Sequence, residues 1–376
     1  MTPCSRNFSF MSHADAGRSC GLAAIALLAA SSATAALDVS GGVTGVTLYP
    51  DDARIEDDRT FSADLNLEWT TNKGRWLAYV EANSSLNKAG ASTLVAEANA
   101  DSGTALDPDR NGRVQLSELN YQFRLAEGAA LTAGYLDPSS FLDRSRITND
   151  ENVQFLGVSF VNNPTIEFPD YTIGAAYERP MRGHAPQVKV VLASSNGLAD
   201  NPNLSYSQLI QVSEQDKGAF LAAGVGWLQE KQLIRVGAWR NTRPHSTLDG
   251  LEHGRQNYGV YAVYGRTFGR HGLNLRLGIA DDEVTEGARF AALAWRLAIG
   301  AHAIGIGFAH TGLSDPFSDP SRDDTRQAEV FSRIAIGTKM HITVSAQRIE
   351  HSGFVSVASD ARSSVRIIGL RFHYAY

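Results

Sequence analysis

From Ile368 to the end of the chain, every second residue is large and apolar. Tyr376, Tyr374, Phe372, Leu370 and Ile368 fall on one face of an extended segment, and Ala375, His373, Arg371 and Gly369 on the other. A strand needs this two-residue period when hydrocarbon lies on one side of it and water on the other. A soluble sandwich strand carries the same alternation, but aromatic residues at the boundary favour a membrane strand. Beyond residue 35 no segment approaches the roughly 20 apolar residues that a spanning helix requires. Any span must therefore be a closed barrel, because lipid offers backbone groups no hydrogen-bond partner and only closure pairs every strand edge.

The alternation recurs upstream. Phe61, Ala63, Leu65, Leu67 and Trp69 alternate with Ser62, Asp64, Asn66 and Glu68, and Leu119, Tyr121 and Phe123 alternate with Glu118, Asn120, Gln122 and Arg124. Trp76, Ala78, Val80 and Ala82 follow an Asn72-Lys73-Gly74 turn, and Tyr261, Val263, Leu275 and Leu277 sit in similar runs. Sixteen strands are expected, near 38–49, 59–71, 75–85, 117–125, 129–136, 171–179, 187–194, 218–228, 231–241, 256–267, 271–280, 288–298, 301–311, 327–337, 340–350 and 363–376. Their connections alternate in length. The longer ones fall near 50–58, 86–116, 137–170, 195–217, 242–255, 281–287, 312–326 and 351–362. Short turns on one side and long loops on the other are the asymmetry of an outer-membrane barrel, and sixteen strands leave room for an aqueous lumen. The expected fold is all-β: one transmembrane antiparallel barrel over 36–376, its last strand pairing with the first. The same closing strand is where barrel assembly machinery would engage the chain.

The N-terminal stretch reads as an export signal over 1–35. Arg18 precedes the apolar run Leu22 to Ala30, and Ala33-Thr34-Ala35 fits a small-residue cleavage site, with Met1 or Met11 as the start. Cleavage there removes Cys4 and Cys20, leaving no thiol and no disulfide framework. It also removes Arg6, Arg18 and Asp15, so the formal charge of −6 becomes about −7. A mildly acidic chain without a basic stripe is a poor nucleic-acid ligand. No metalloprotease helix motif, nucleophile elbow or phosphate loop appears, so an enzyme is not expected.

The third long connection, 137–170, mixes Phe141, Phe155, Leu156 and Phe160 with Asp143, Arg144, Arg146, Asp150 and Glu151. A loop of this length in a compact unit is usually functional. The expectation is that it folds into the barrel, its aromatics on the wall and its five charged residues narrowing the pore, where opposed charges set selectivity. A second local pattern lies earlier. Asp107-Pro108-Asp109-Arg110-Asn111-Gly112, with Glu118 closing, fits the calcium-loop spacing. Ca²⁺ would take Asp107, Asp109, Asn111, the Arg113 carbonyl and Glu118 as oxygen ligands. The alternative is an Asp/Asn/Gly-rich turn above a strand, with Glu118 facing the lumen.

The central stretch resembles the carbohydrate-selective porin family, the OprB-like porins. The words that carry the likeness are LSELNYQF at 116–123, GYLDPSSFLD at 134–143, NDENVQFL at 149–156 and VNNPTIEFPDYTIGAAYERP at 161–180. Weaker likeness continues at 272–282 and 328–354. The resemblance implies a sixteen-stranded outer-membrane channel that passes sugars and other small hydrophilic solutes by diffusion, with a polar, charged constriction and aromatics nearby. The rival readings are a general ion-conducting porin and a barrel with an enzymatic or adhesive role.

Overall fold

The computed structural model describes residues 36–198, 206–212, 217–315, 323–352 and 364–376. The expected export signal lies outside them. Sixteen strands follow in order: β1 (Ala36–Pro50), β2 (Asp58–Thr70), β3 (Gly74–Asn83), β4 (Val114–Arg124), β5 (Ala130–Leu136), β6 (Thr172–Arg179), β7 (Gln187–Ser194), β8 (Ala219–Gln229), β9 (Gln232–Ser246), β10 (His253–Phe268), β11 (His271–Ala280), β12 (Arg289–Ile299), β13 (His302–Gly312), β14 (Thr325–Ile336), β15 (Met340–Glu350) and β16 (Ser364–Ala375). Each pairs antiparallel with its sequence neighbours, and β16 returns to β1 to close the barrel. That seam runs from Gly42 opposite Ala375 to Pro50 opposite Ile367. All sixteen expected strands are present. The largest boundary change is at β9 and β10, which extend their hairpin beyond the expected ends toward the loop 247–252.

The outer wall follows the alternation. Phe61, Leu192, Leu221, Val260, Leu293, Phe308, Ile368 and Leu370 all stand exposed on it, forming the apolar belt that faces lipid. At the short-turn end the belt is rimmed by aromatics. Trp76 packs on Tyr121 with ring centroids 4.8 Å apart, and Tyr121 on Phe123 at 4.5 Å. Trp227, Phe268, Trp295 and Tyr374 sit at the same end of their strands. Rings with an apolar body and a polar edge settle at that depth.

The inner wall departs from the simple expectation of a polar face. Phe220, Trp239, Tyr261, Val263, Phe290 and Phe331 point inward and are buried. They pack against the third outer loop, residues 137–171. Leu142 and Ile166 join Phe220, Trp239 and Tyr261, while Phe155 and Phe160 join Phe290 and Phe331. A third cluster seats the second outer loop, residues 84–113: Ala91, Val95 and Ala98 pack on Val46, Leu48, Ile349, Val365 and Ile367 at the outer mouth. The core of this protein is thus inside the barrel, between wall and infolded loops. The expectation covered the third loop; the second folds inward as well.

Candidate functional site

Polar anchors hold the third loop where the apolar contacts place it. Arg276 on β11 is wholly buried and donates to the Phe160 carbonyl at 2.8 Å and the Asp143 carbonyl at 3.3 Å, and also to the Asn149 side-chain oxygen. Its Nε lies 3.3 Å from Asp143 Oδ1, and Asp143 Oδ2 accepts the Asn163 N–H at 2.7 Å. Arg235 on β9 donates to the Leu142 carbonyl at 2.8 Å. On β14, Glu329 accepts the Leu156 N–H at 2.9 Å and the Gly157 N–H at 2.8 Å. On β16, Arg371 donates to the Gln154 carbonyl at 2.6 Å and to the Glu151 carbonyl. Loop backbone groups inside a barrel need such partners, because an unmet buried carbonyl or N–H costs about 1–3 kcal/mol. The second loop is tied likewise: Gln347 donates to the Ala98 carbonyl at 2.8 Å and Gln327 to the Glu97 carbonyl at 2.8 Å. The two loops meet where the Ala100 N–H reaches the Leu156 carbonyl at 2.9 Å.

Glycine makes one of these contacts close. A Cβ at Gly307 on β13 would lie 2.6 Å from the Phe160 ring. What approaches the backbone closely at this glycine is the loop.

Two polar cavities remain in the lumen, of about 810 and 640 Å³. Asn66, Tyr79, Glu118, Arg144, Asn149, Glu151 and Lys189 line both, so they mark the neck where the cavities meet. Acidic groups collect on one side. Asp64, Glu81 and Glu118 stand on β2–β4, and the Tyr79 hydroxyl donates to Asp64 at 2.8 Å, with Glu81 at 3.2 Å. Across from them Lys189 on β7, Arg235 on β9 and Arg266 on β10 line the larger cavity with Arg144 and Arg146. Lys189 is held 2.7 Å from Glu178 and over the Phe141 ring at 5.9 Å. The Tyr79 and Tyr171 rings lie 6.3 Å apart. Burial pushes the Glu151 carboxyl up to about 8, with Asp101, Asp150 and Asp64 adding to the rise. Asp101, whose Oδ1 accepts the Ser62 hydroxyl at 2.7 Å, is pushed up to about 7, again chiefly by burial.

Of the five loop charges expected at the pore, Arg144, Arg146, Asp150 and Glu151 line the larger cavity. Asp143 does not. It is buried with Arg276 and fastens the loop to the wall, because a carboxylate enclosed by the loop's own turn needs a buried cation. The wall residues Asp64, Tyr79, Glu81 and Lys189 were not singled out as site residues. The available signal was their place on the inward phase of the alternation, opposite Leu65, Val80 and Val190.

The calcium-loop pattern does not assemble as its spacing suggested. Asp107 caps its own turn: Oδ1 accepts the Asp109 N–H at 2.9 Å and the Asn111 N–H at 2.8 Å, and Oδ2 accepts the Asn111 side-chain amide at 3.0 Å. The Arg113 carbonyl accepts the Asn83 N–H at 3.2 Å. Asp109 lies on the exposed tip of the turn. From Val114 the chain is extended, so Glu118 is carried about 13 Å along β4, away from the turn. Calcium loops need a helix there to bring the twelfth residue back. Glu118 instead enters the lumen beside Asn120, whose side-chain amide it accepts at 3.1 Å. A register shift between Tyr79 and Val80 on the partner strand allows Ser117 and Glu118 both to point inward. Among the described residues no group of three or more His, Cys, Asp or Glu side chains is disposed to hold a metal.

A closed sixteen-strand antiparallel barrel with an apolar belt, infolded loops and a charged lumen is the architecture of an outer-membrane porin, and it places the chain in the bacterial outer membrane. Solved structures share it. The chain superposes on a high-pH structure of Pseudomonas putida OprB with TM-score 0.67 at 11% identity, covering 90% of this chain and 94% of that one. It superposes on Salmonella typhi OmpF, in complex with daunomycin, with TM-score 0.61 at 7% identity, covering 90% and 97%. An anion-selective porin from Comamonas acidovorans gives 0.55 at 11% identity, covering 91% and 100%. At these identities the likeness is one of fold. No family model matches the chain. A stretch of 68 residues is 40% identical to an uncharacterized protein of Aquifex aeolicus (strain VF5), spanning 18% of this chain and 22% of that protein.

Proposed function

We propose that the protein is a passive diffusion channel for sugars and similar small hydrophilic solutes. The observation that carries this reading is the neck, where Tyr79, Glu118, Arg144, Glu151 and Lys189 line both polar cavities. A sugar offers hydroxyls in a ring around apolar C–H faces. Carboxylates and cations on opposite sides bond the hydroxyls, while the Tyr79 and Tyr171 rings offer flat apolar faces to the C–H groups. The likeness of the central sequence to carbohydrate-selective porins and the fold shared with OprB support the same cargo. Nothing in this mechanism requires a covalent step. Discrimination arises from pore width, field and hydrogen bonding.

Liposomes carrying the purified protein and challenged with isosmotic sugars and amino acids test the reading. Swelling is expected to be faster for monosaccharides than for amino acids of similar size. Equal rates throughout, together with no block of single-channel current by any sugar, would leave a general ion-conducting porin. The opposed charges at the neck favour that as the second reading, since they also form a path for ions of both signs.

A further inference from the structure

The β9–β10 hairpin runs on beyond the membrane and there takes hold of the third loop. Outward positions on β9 are apolar at Ile234, Val236 and Ala238 and turn polar at Arg240. His245 lies five residues further along, past the apolar belt and outside the hydrocarbon. Two register shifts in the hairpin bring it opposite Arg255. Its Nε2 is 2.9 Å from Glu167 Oε1, and its Nδ1 is 3.3 Å from the Arg255 carbonyl. Glu167 Oε2 accepts the Asn257 side-chain amide at 2.9 Å, and Asn257 accepts the Thr285 hydroxyl at 3.2 Å. Glu167 thus ties the outer limb of the third loop to β9, to β10 and, through Asn257, to the loop after β11. Both ring nitrogens of His245 face pure acceptors, a carboxylate and a carbonyl. Only the imidazolium, with an N–H on each nitrogen, satisfies both; the neutral ring aims a lone pair at one of them.

We propose that His245 and Glu167 form a latch that protonation closes and rising external pH opens, and that it sets how firmly the mouth of the smaller cavity is held. Asp170 and Tyr171, just past Glu167 on the same limb, line that cavity. Tyr171 is held at φ 51, a left-handed conformation that an aromatic residue keeps only under restraint. Ile166 and Phe168 stay packed on the wall, so opening the latch loosens 167–171 without freeing the whole loop. The other charges around the ring are accounted for. The Arg255 guanidinium turns to Asp281 at 3.2 Å and Glu283 at 2.5 Å, with Glu252 at 3.8 Å, and His253 bonds the Ser246 hydroxyl at 2.8 Å. Arg243, on the same strand, opposes protonation, as does burial, but the bond to Glu167 outweighs both and holds the His245 pKa above the ordinary histidine value. A pKa raised by the closed state favours that state in full below about 6.5, and the preference is lost as pH rises through the raised value. Each unit of difference is a tenfold change in the weight of the closed state. The latch does not depend on which solute the channel passes.

Single channels of the folded barrel are recorded in planar bilayers, with the turn side held at about pH 7 and the loop side stepped from about pH 5.5 to about 8.5, across the histidine range. The wild type is expected to show severalfold more frequent brief current fluctuations at the higher pH. His245→Ala is expected to fluctuate at the high rate at every pH, and Glu167→Gln to lose the pH response. His253→Gln, on the same hairpin, is expected to keep it. Titration of Glu151 at the neck is common to all these proteins and cancels from the comparison. In histidine-labelled barrels the His245 resonance, identified by its loss in His245→Ala, is expected to titrate above the ordinary value, and lower in Glu167→Gln than in the wild type. Heat-modifiable gel migration checks the fold of each variant. A wild type whose fluctuations ignore external pH, a response that survives in His245→Ala, or a His245 titration unmoved by Glu167→Gln overturns the proposal.

Discussion

Replacing Arg276 by methionine is expected to release the third loop. Arg276 and Asp143 are both buried in the loop's attachment to the wall. Removing one member of such a pair leaves an uncompensated charge and costs about 3–5 kcal/mol. The attached state therefore loses roughly a hundredfold to a few thousandfold in weight against any detached state. The Phe160 and Asp143 carbonyls lose their donor in the same step. Single-channel recordings are expected to show larger, noisier conductance, and limited proteolysis is expected to cut within 137–171. Adding Asp143→Asn keeps an acceptor for the Asn163 N–H while removing the charge, so the double variant is expected to recover most of the loss. Wild-type conductance and protease resistance in Arg276→Met would refute the reasoning. So would a double variant as impaired as the single one, because the cost is assigned to the unpaired charge.

Glu151→Gln tests the titration at the neck. With its carboxyl pushed up to about 8 by burial, Glu151 is neutral below that pH and charged above it. Reversal potentials of the wild type are thus expected to move toward cation preference from pH 7 to 9, and those of the variant to move less. Arg144→Gln removes a cation from the lining of both cavities. A unit charge about 8 Å away in water-like surroundings is worth about 0.5 kcal/mol, with opposite sign for a cation and an anion, so the cation-to-anion permeability ratio is expected to rise about fivefold. Gly307→Ala drives a methyl to 2.6 Å from the Phe160 ring. Overpacking of this kind costs about 1–3 kcal/mol. It is expected to lower the temperature at which the barrel unfolds on a heat-modifiability gel, and an unchanged temperature would remove Phe160 from the account of the loop's seat.

The barrel was legible because its signal is local and repeated. In Ser364–Ala375 the lipid face and the lumen face can be read residue by residue, since hydrocarbon and water demand opposite chemistry at successive positions. Loop lengths fixed the strand count and the closure of β16 on β1. The aromatic content of 137–170 announced a loop that could not remain in water, and Phe155 and Phe160 are indeed on the wall. What alternation could not decide was the face of Tyr261, Trp239 or Phe331. An inward apolar residue violates the pattern unless something apolar covers it, and the cover comes from a loop distant in sequence. Asp143 was read as a pore charge for the same reason: its partner Arg276 is 133 residues away. At Glu118 the spacing of a calcium loop is present in the sequence, yet an extended strand carries the side chain away and a bulge turns it into the lumen. The sequence by itself determined which segments cross the membrane and which face of each meets lipid, because that selection acts on neighbours. Only the tertiary structure decided which charges line the channel and which fasten its loops, because burial of a charge depends on the partner that the closed barrel brings to it.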